Sequence, residues 1–178
     1  MARSSIVISE FTARPTALWD ETWFLLTAGV NKPGGFNTMT VAWGSIGTMW
    51  SRPMAQVVVR PGRYTHEFME RCDSFTLSAF DEEHRRTLAL CGSRSGRDID
   101  KVEATGLTPI ASGQVDAPGF DEAELIIECR KVYHDRFRPE NFLADYIDTH
   151  YPEKDYHDIY FGEIVAVQGE GKYWSDEW

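Results

Sequence analysis

Residues 91–101, Cys91-Gly92-Ser93-Arg94-Ser95-Gly96-Arg97-Asp98-Ile99-Asp100-Lys101, gather two glycines, two serines, two arginines and a lysine. Glycine lets backbone N–H groups come close to an anion, serine hydroxyls donate with little bulk, and the cations neutralise charge. The ligand such a loop suits is a phosphate group; the plainer alternative is an exposed connection between two helices. A second group, Arg60-Pro61-Gly62-Arg63-Tyr64-Thr65-His66, puts two arginines and a hydroxyl where a strand hands over to a helix. That is an anion site, or a tight Pro-Gly turn with solvated arginines. A third is Asn37–Gly44, which as a strand turns Asn37, Met39, Val41 and Trp43 one way and Thr38, Thr40 and Ala42 the other. The small, hydroxyl-bearing row gives a flat ligand room against the backbone, or serves packing alone.

The elements that must position these groups are short. Strand patterns occupy 22–28, 38–43, 55–60 and 74–80, with a longer one over 123–133 and a last one over 159–168. Helical stretches are expected over 65–72 with Thr65 as N-cap, from Asp81 to a stop at Gly92, and over 99–105 between an Asp98 cap and Gly106. Residues 110–122 read as loop, and 139–146 as a helical turn. Strands joined by short turns, with small helices inserted, predict a mainly β fold: an antiparallel β-barrel with helical decorations, in one domain over 1–178.

The chain has 178 residues and a net charge of −10. Residues 1–100 hold 11 basic and 11 acidic side chains and 101–178 hold 7 and 17, so the last third carries the whole excess. Without a basic stripe, nucleic acid is excluded as a partner; the acidic third reads as a solvated face. Three widely spaced cysteines, Cys72, Cys91 and Cys129, argue against a disulfide framework and for a cytoplasmic protein. No apolar run suits a signal peptide or a membrane span.

Other features point away from side-chain catalysis. His66, His84, His134, His150 and His157 have no compact metal-ligand spacing and read as surface residues, so no metal site is expected. Asp81-Glu82-Glu83 suits a helix start. Cys91 reads as a small buried residue at a helix end, and Gly169–Lys172 lacks the context of a nucleotide loop. Tyr173, Trp174 and Trp178 form an aromatic tail expected to pack on a partner subunit or over a barrel mouth.

The segments NTMTVAW (37–43), RPGRYT (60–65), CGSRSGRDIDK (91–101), TGLTP (105–109) and YFGEIVAV (160–167) together resemble the flavin reductase-like, FMN-binding split-barrel family, in its flavoredoxin-like branch. The resemblance implies a Greek-key split barrel that forms a homodimer with FMN near the subunit interface. It puts Met39, Thr40, Val41, Ala42 and Trp43 along the isoalloxazine, with Thr40 at its polar edge. Arg60, Tyr64 and Thr65 fall along the ribityl chain and phosphate, Ser93, Ser95, Gly96 and Lys101 complete the phosphate grip, and Asn37 and Arg63 count among the cofactor-binding residues. Residues 110–158 match no motif. The implied activity is an oxidoreductase taking hydride from NAD(P)H onto FMN. The alternatives are a flavoredoxin-like electron carrier docking a redox protein through its acidic third, and a flavin storage or sensing module.

Overall fold

The computed structural model describes residues 3–174. Its strands are β1 (Ser4–Ile6), β2 (Phe24–Gly29), β3 (Phe36–Val41), β4 (Gly44–Met49), β5 (Arg52–Val59), β6 (Ser74–Ala79), β7 (Pro109–Ile110), β8 (Gly119–Phe120), β9 (Leu125–Arg136) and β10 (Asp158–Gly169). Its helices are α1 (Pro15–Ala17), α2 (Tyr64–Arg71), α3 (Arg85–Ser93), α4 (Lys101–Thr105) and α5 (Asp145–Asp148). An eight-stranded antiparallel sheet runs in the order β3-β2-β6-β9-β10-β5-β4, with β1 also paired to β10.

The edge strands β3 and β4 stand at opposite ends of that order, yet only Ala42 and Trp43 separate them in sequence. A two-residue link spans at most about 10 Å, so the sheet curls until its edges meet. This is the expected mainly β split barrel. Side-chain alternation then sorts residues into two cores. Phe24, Leu26, Met39, Val41, Leu77 and Ile127 fill the barrel. Leu25 and Ile126 face outward and pack with Leu88, Cys91 and Phe120 beneath α3. Because β2 is buried on both faces, FLLTAG reads as a continuous apolar run.

Several boundaries differ from expectation. A missed strand, β4, pairs with β5 through the two-residue turn Trp50-Ser51, whose φ values of 51° and 57° are both left-handed. Neither residue is Gly, Asn or Asp, so the usual hairpin signal is missing. Asp100, not Asp98, caps α4: its carboxylate accepts from the Val102 and Glu103 amides. Thr65 lies inside α2, whose N-terminus has no side-chain cap. Gly92 does not stop α3; it lies within the helix, where a Cβ would approach Thr40 Cβ to 3.2 Å. Within 110–122, β7 and β8 pair, and 139–146 holds a 3₁₀ turn and the start of α5.

Tyr173 is buried in the barrel core of its own chain and its hydroxyl bonds Glu124; Trp174 is partly exposed, and Trp178 lies outside the described residues. Cys72, Cys91 and Cys129 are free thiols. No helix among the described residues is long and apolar enough to cross a membrane.

Candidate functional site

Two adjoining hollows lie where β3, the β5–α2 turn and the α3–α4 loop converge. One, of about 190 Å³, is lined by Asn37, Met39, Arg63, Tyr64, Thr65, Ser93, Ser95, Gly96 and Lys101, with Arg94 and Asp98 among the others. The next, of about 180 Å³, is lined by Met39, Thr40, Val41, Ala42, Trp43, Val58, Arg60, Arg63 and His157. Met39 and Arg63 belong to both. All fourteen residues singled out from sequence thus meet in one cleft with a basic, hydroxyl-rich end and an apolar, aromatic end.

At the basic end, the loop after α3 lies directly on β3. Asn37 is buried, and its Nδ2 donates to Thr65 Oγ1 at 2.7 Å and to the Thr38 carbonyl at 3.3 Å. Gly96 packs so closely that a Cβ there would sit 2.0 Å from Asn37 Oδ1 and 3.1 Å from the Tyr64 ring. Arg63 Nη1 donates to the Gly92 carbonyl at 2.9 Å, joining the β5–α2 turn to the loop. Ser93 Oγ donates to the Ala89 carbonyl at 2.8 Å, and Ser95 Oγ accepts from the Arg97 amide. No side chain caps the α2 terminus beside Arg63; the His66 amide bonds the Arg63 carbonyl at 3.0 Å, and the amides of Tyr64 and Thr65 precede it in the first turn.

Lys101 occupies a different place from the exposed cation its sequence context suggests. It is buried, and its ammonium donates to the Thr38 carbonyl at 2.8 Å and the Cys91 carbonyl at 2.7 Å. Burial lowers its pKa from the ordinary lysine value. Thr40 likewise spends its hydroxyl on the Leu88 carbonyl at 2.5 Å. The Thr38/Thr40 row is therefore covered by α3 and α4 and is no open platform for a flat ligand.

The aromatic end is built by a segment that sequence reasoning could not place. Trp43, 44 % exposed, meets the His150 ring at 5.2 Å and the His157 ring at 5.3 Å. Arg60 is drawn onto the same segment, paired with Asp155 at 2.5 Å, donating to the His150 carbonyl and lying 5.0 Å over the Tyr151 ring. His157 is buried, contrary to its expected surface position. Desolvation, with a smaller push from Arg60, lowers its pKa to about 4. Tyr151 OH lies 2.9 Å from His157 Nδ1, and burial raises the tyrosine pKa. A protonated phenol facing a neutral imidazole donates to Nδ1, which assigns the His157 proton to Nε2. Only its position just before β10 hints at this role; its burial depends on contacts distant in sequence.

His66, Glu70 and Asp158 also gather, but Asp158 is held by Arg136 at 2.5 Å and His66 at 2.6 Å, so a cation already fills that centre.

The donor set fits a phosphorylated, planar ligand: arginines, hydroxyls and the first α2 amides at one end, sulfur, apolar and indole surface at the other. Barrel and cleft together define a split barrel with a two-ended ligand cleft. Residues 21–175 match the flavin reductase like domain, and the chain belongs to that family. Its structure resembles flavoredoxin of Desulfovibrio vulgaris (24% identity, TM-score 0.67, 93% of this chain and 75% of that one). It also resembles flavoredoxin from Methanosarcina acetivorans (26%, 0.67, 86% and 71%) and an FMN-binding protein from Thermus thermophilus (22%, 0.65, 84% and 70%). An uncharacterized protein of Archaeoglobus fulgidus is 30% identical over 61% of this chain, and one of Pyrococcus abyssi 27% over 73%. The chain spans 59% and 64% of those two relatives' lengths.

Proposed function

We propose that this chain binds FMN in the two-ended cleft and acts as an oxidoreductase, receiving hydride from NAD(P)H and passing electrons to a further acceptor. The observation that carries this reading is the convergence of all fourteen motif residues on two hollows joined at Met39 and Arg63. The names of the Thermus and flavoredoxin neighbours support it. Bound FMN supplies the hydride and electron chemistry itself.

The chain's own residues then bind and shield. Arg63, Arg94, Ser95 and the first α2 amides hold the phosphate, while Ser93 spends its hydroxyl on the Ala89 carbonyl. Lys101 and Asn37 set the shape of that end from behind. Met39, Val41 and Trp43 give the ring an apolar wall that keeps water away. His157, neutral at pH 7, offers Nε2–H at the ring end as a hydrogen-bond donor.

Free cysteines favour a cytoplasmic setting. The exposed aromatics Trp50 and Tyr133, clustered with Phe161 at 5.4–6.3 Å, suit a homodimer contact.

The test is an absorbance spectrum of purified protein with FMN, followed by anaerobic titration with NADH and NADPH. Bleaching of a bound yellow chromophore supports the reading. A bound flavin that neither nucleotide reduces favours the electron-carrier alternative, and a colourless protein after FMN incubation overturns both.

A further inference from the structure

A cavity of about 570 Å³ lies on the outer wall of the barrel, between the paired strands β9 and β10 and the stretch 137–147 that follows β9. Tyr160 is in the barrel core, so its neighbours Ile159 and Phe161 turn outward into this space. Phe137, Phe142 and Ile147 form the opposite wall, and all five apolar side chains are only half-buried. The cavity shares no lining residue with either hollow of the cleft. Its volume falls within the range of small-molecule sites, about 300–1,000 Å³. We infer that this cavity binds an aromatic monocarboxylate, at a site separate from the cleft.

The polar lining selects the charge. Arg136 is committed to Asp158, Nε to Oδ1 at 2.5 Å and Nη2 to Oδ2 at 3.0 Å. Asp135 is spent as well, accepting from the Tyr133 hydroxyl at 3.1 Å and the Arg136 amide at 2.8 Å. Arg138 keeps one long ion pair, 3.6 Å to Asp135, and its side chain makes no hydrogen bond among the described residues. A guanidinium with unused donors at the edge of an apolar cavity suits a carboxylate. The walls select the body of the ligand. Four of the ten lining side chains are rings, Tyr133, Phe137, Phe142 and Phe161, and they offer a planar ring offset and edge-to-face contacts that an aliphatic chain cannot make. The Phe142 ring also stacks on Tyr151 at 6.0 Å, so an occupant packed on Phe142 holds the 137–151 stretch to the barrel. Tyr133 and Phe161 belong to the aromatic patch assigned to a homodimer contact; Arg138, Phe142 and Ile147 do not.

The experiment titrates the purified chain by calorimetry with 2-naphthoate, octanoate and naphthylmethylamine, each with and without excess FMN, and follows hydrogen exchange across 137–151. The expected result is 2-naphthoate bound about three- to ten-fold tighter than octanoate, no binding of the amine, and slower exchange across 137–151. FMN leaves 2-naphthoate affinity unchanged. Arg138→Gln, at an exposed position, weakens 2-naphthoate about ten-fold, and Ile147→Trp, which fills the cavity from α5, abolishes its binding. No heat with 2-naphthoate overturns the site. Octanoate bound as tightly overturns the aromatic class, and the amine bound as tightly overturns the anion. Competition by FMN puts the naphthoate in the cleft and overturns the separate site while leaving the flavin reading standing. Should Ile147→Trp melt below the parent, Arg138→Gln and the exchange decide: unchanged affinity in the one, or unchanged rates in the other, overturns the placement.

Discussion

The Lys101 ammonium donates to the Thr38 carbonyl oxygen across 2.8 Å, tying α4 to the outer face of β3. With its second bond to the Cys91 carbonyl, one side chain joins three elements that wall the phosphate end. Replacing it with Ala takes the ammonium from two buried carbonyls and leaves that of Thr38 with the longer bond from Asn37 Nδ2. Lys101→Ala is therefore expected to lose about 1–3 kcal/mol of stability as well as flavin affinity. Urea denaturation beside FMN titration checks this; a variant as stable as the parent removes the structural tie.

Ser95 behaves differently, because its hydroxyl is part of an exposed loop turn. Ser95→Ala is expected to weaken FMN by about ten-fold, one phosphate hydrogen bond, while the melting temperature stays unchanged. Unaltered FMN affinity by fluorescence quenching refutes the placement of phosphate at this loop.

Gly96 has no room for a side chain. In Gly96→Ala the new methyl must displace Asn37 Oδ1, breaking the bond from Asn37 to Thr65. The expected cost is about 1–3 kcal/mol, together with lost FMN retention. A parent-like crystal structure and affinity for this variant contradict the close approach.

His157 links stability to pH. Its pKa is depressed to about 4 in the fold and returns to the ordinary 6.5 on unfolding, so the unfolded chain binds the extra proton between these values. Its contribution is present in full above pH 6.5 and fades as pH falls toward 4, by on the order of 3 kcal/mol at the limit. Carboxylates such as Asp155 titrate lower still. His157→Gln is expected to flatten the curve between pH 6.5 and 4, read by denaturant midpoints across that range. Parallel curves for parent and variant would show the imidazole is not the titrating group.

Arg60 holds the 137–157 segment against the aromatic end through Asp155. Asp155→Ala is expected to raise Trp43 fluorescence quenching by iodide, since the segment over the indole loosens. No change in quenching places the constraint elsewhere.

The sequence by itself determined the family and the class of fold. The motif residues are local runs, and short β-type runs bounded by turn signals announced β2, β3, β5, β6, β9 and β10. Nothing announced β1, β4, β7 and β8; at β4 the hairpin signal is missing because left-handed backbone is carried by Trp50 and Ser51, residues that rarely adopt it. What the tertiary structure alone decided is which polar atoms remain for a ligand. Lys101 and Thr40 read as ligand contacts, yet each bonds a carbonyl brought to it by packing, at Thr38, Cys91 and Leu88. His157 read as a surface residue, yet burial beside Tyr151 and Trp43 makes it neutral. Hydrogen bonding and desolvation are properties of what surrounds a group in space, and a linear order of residues does not contain them.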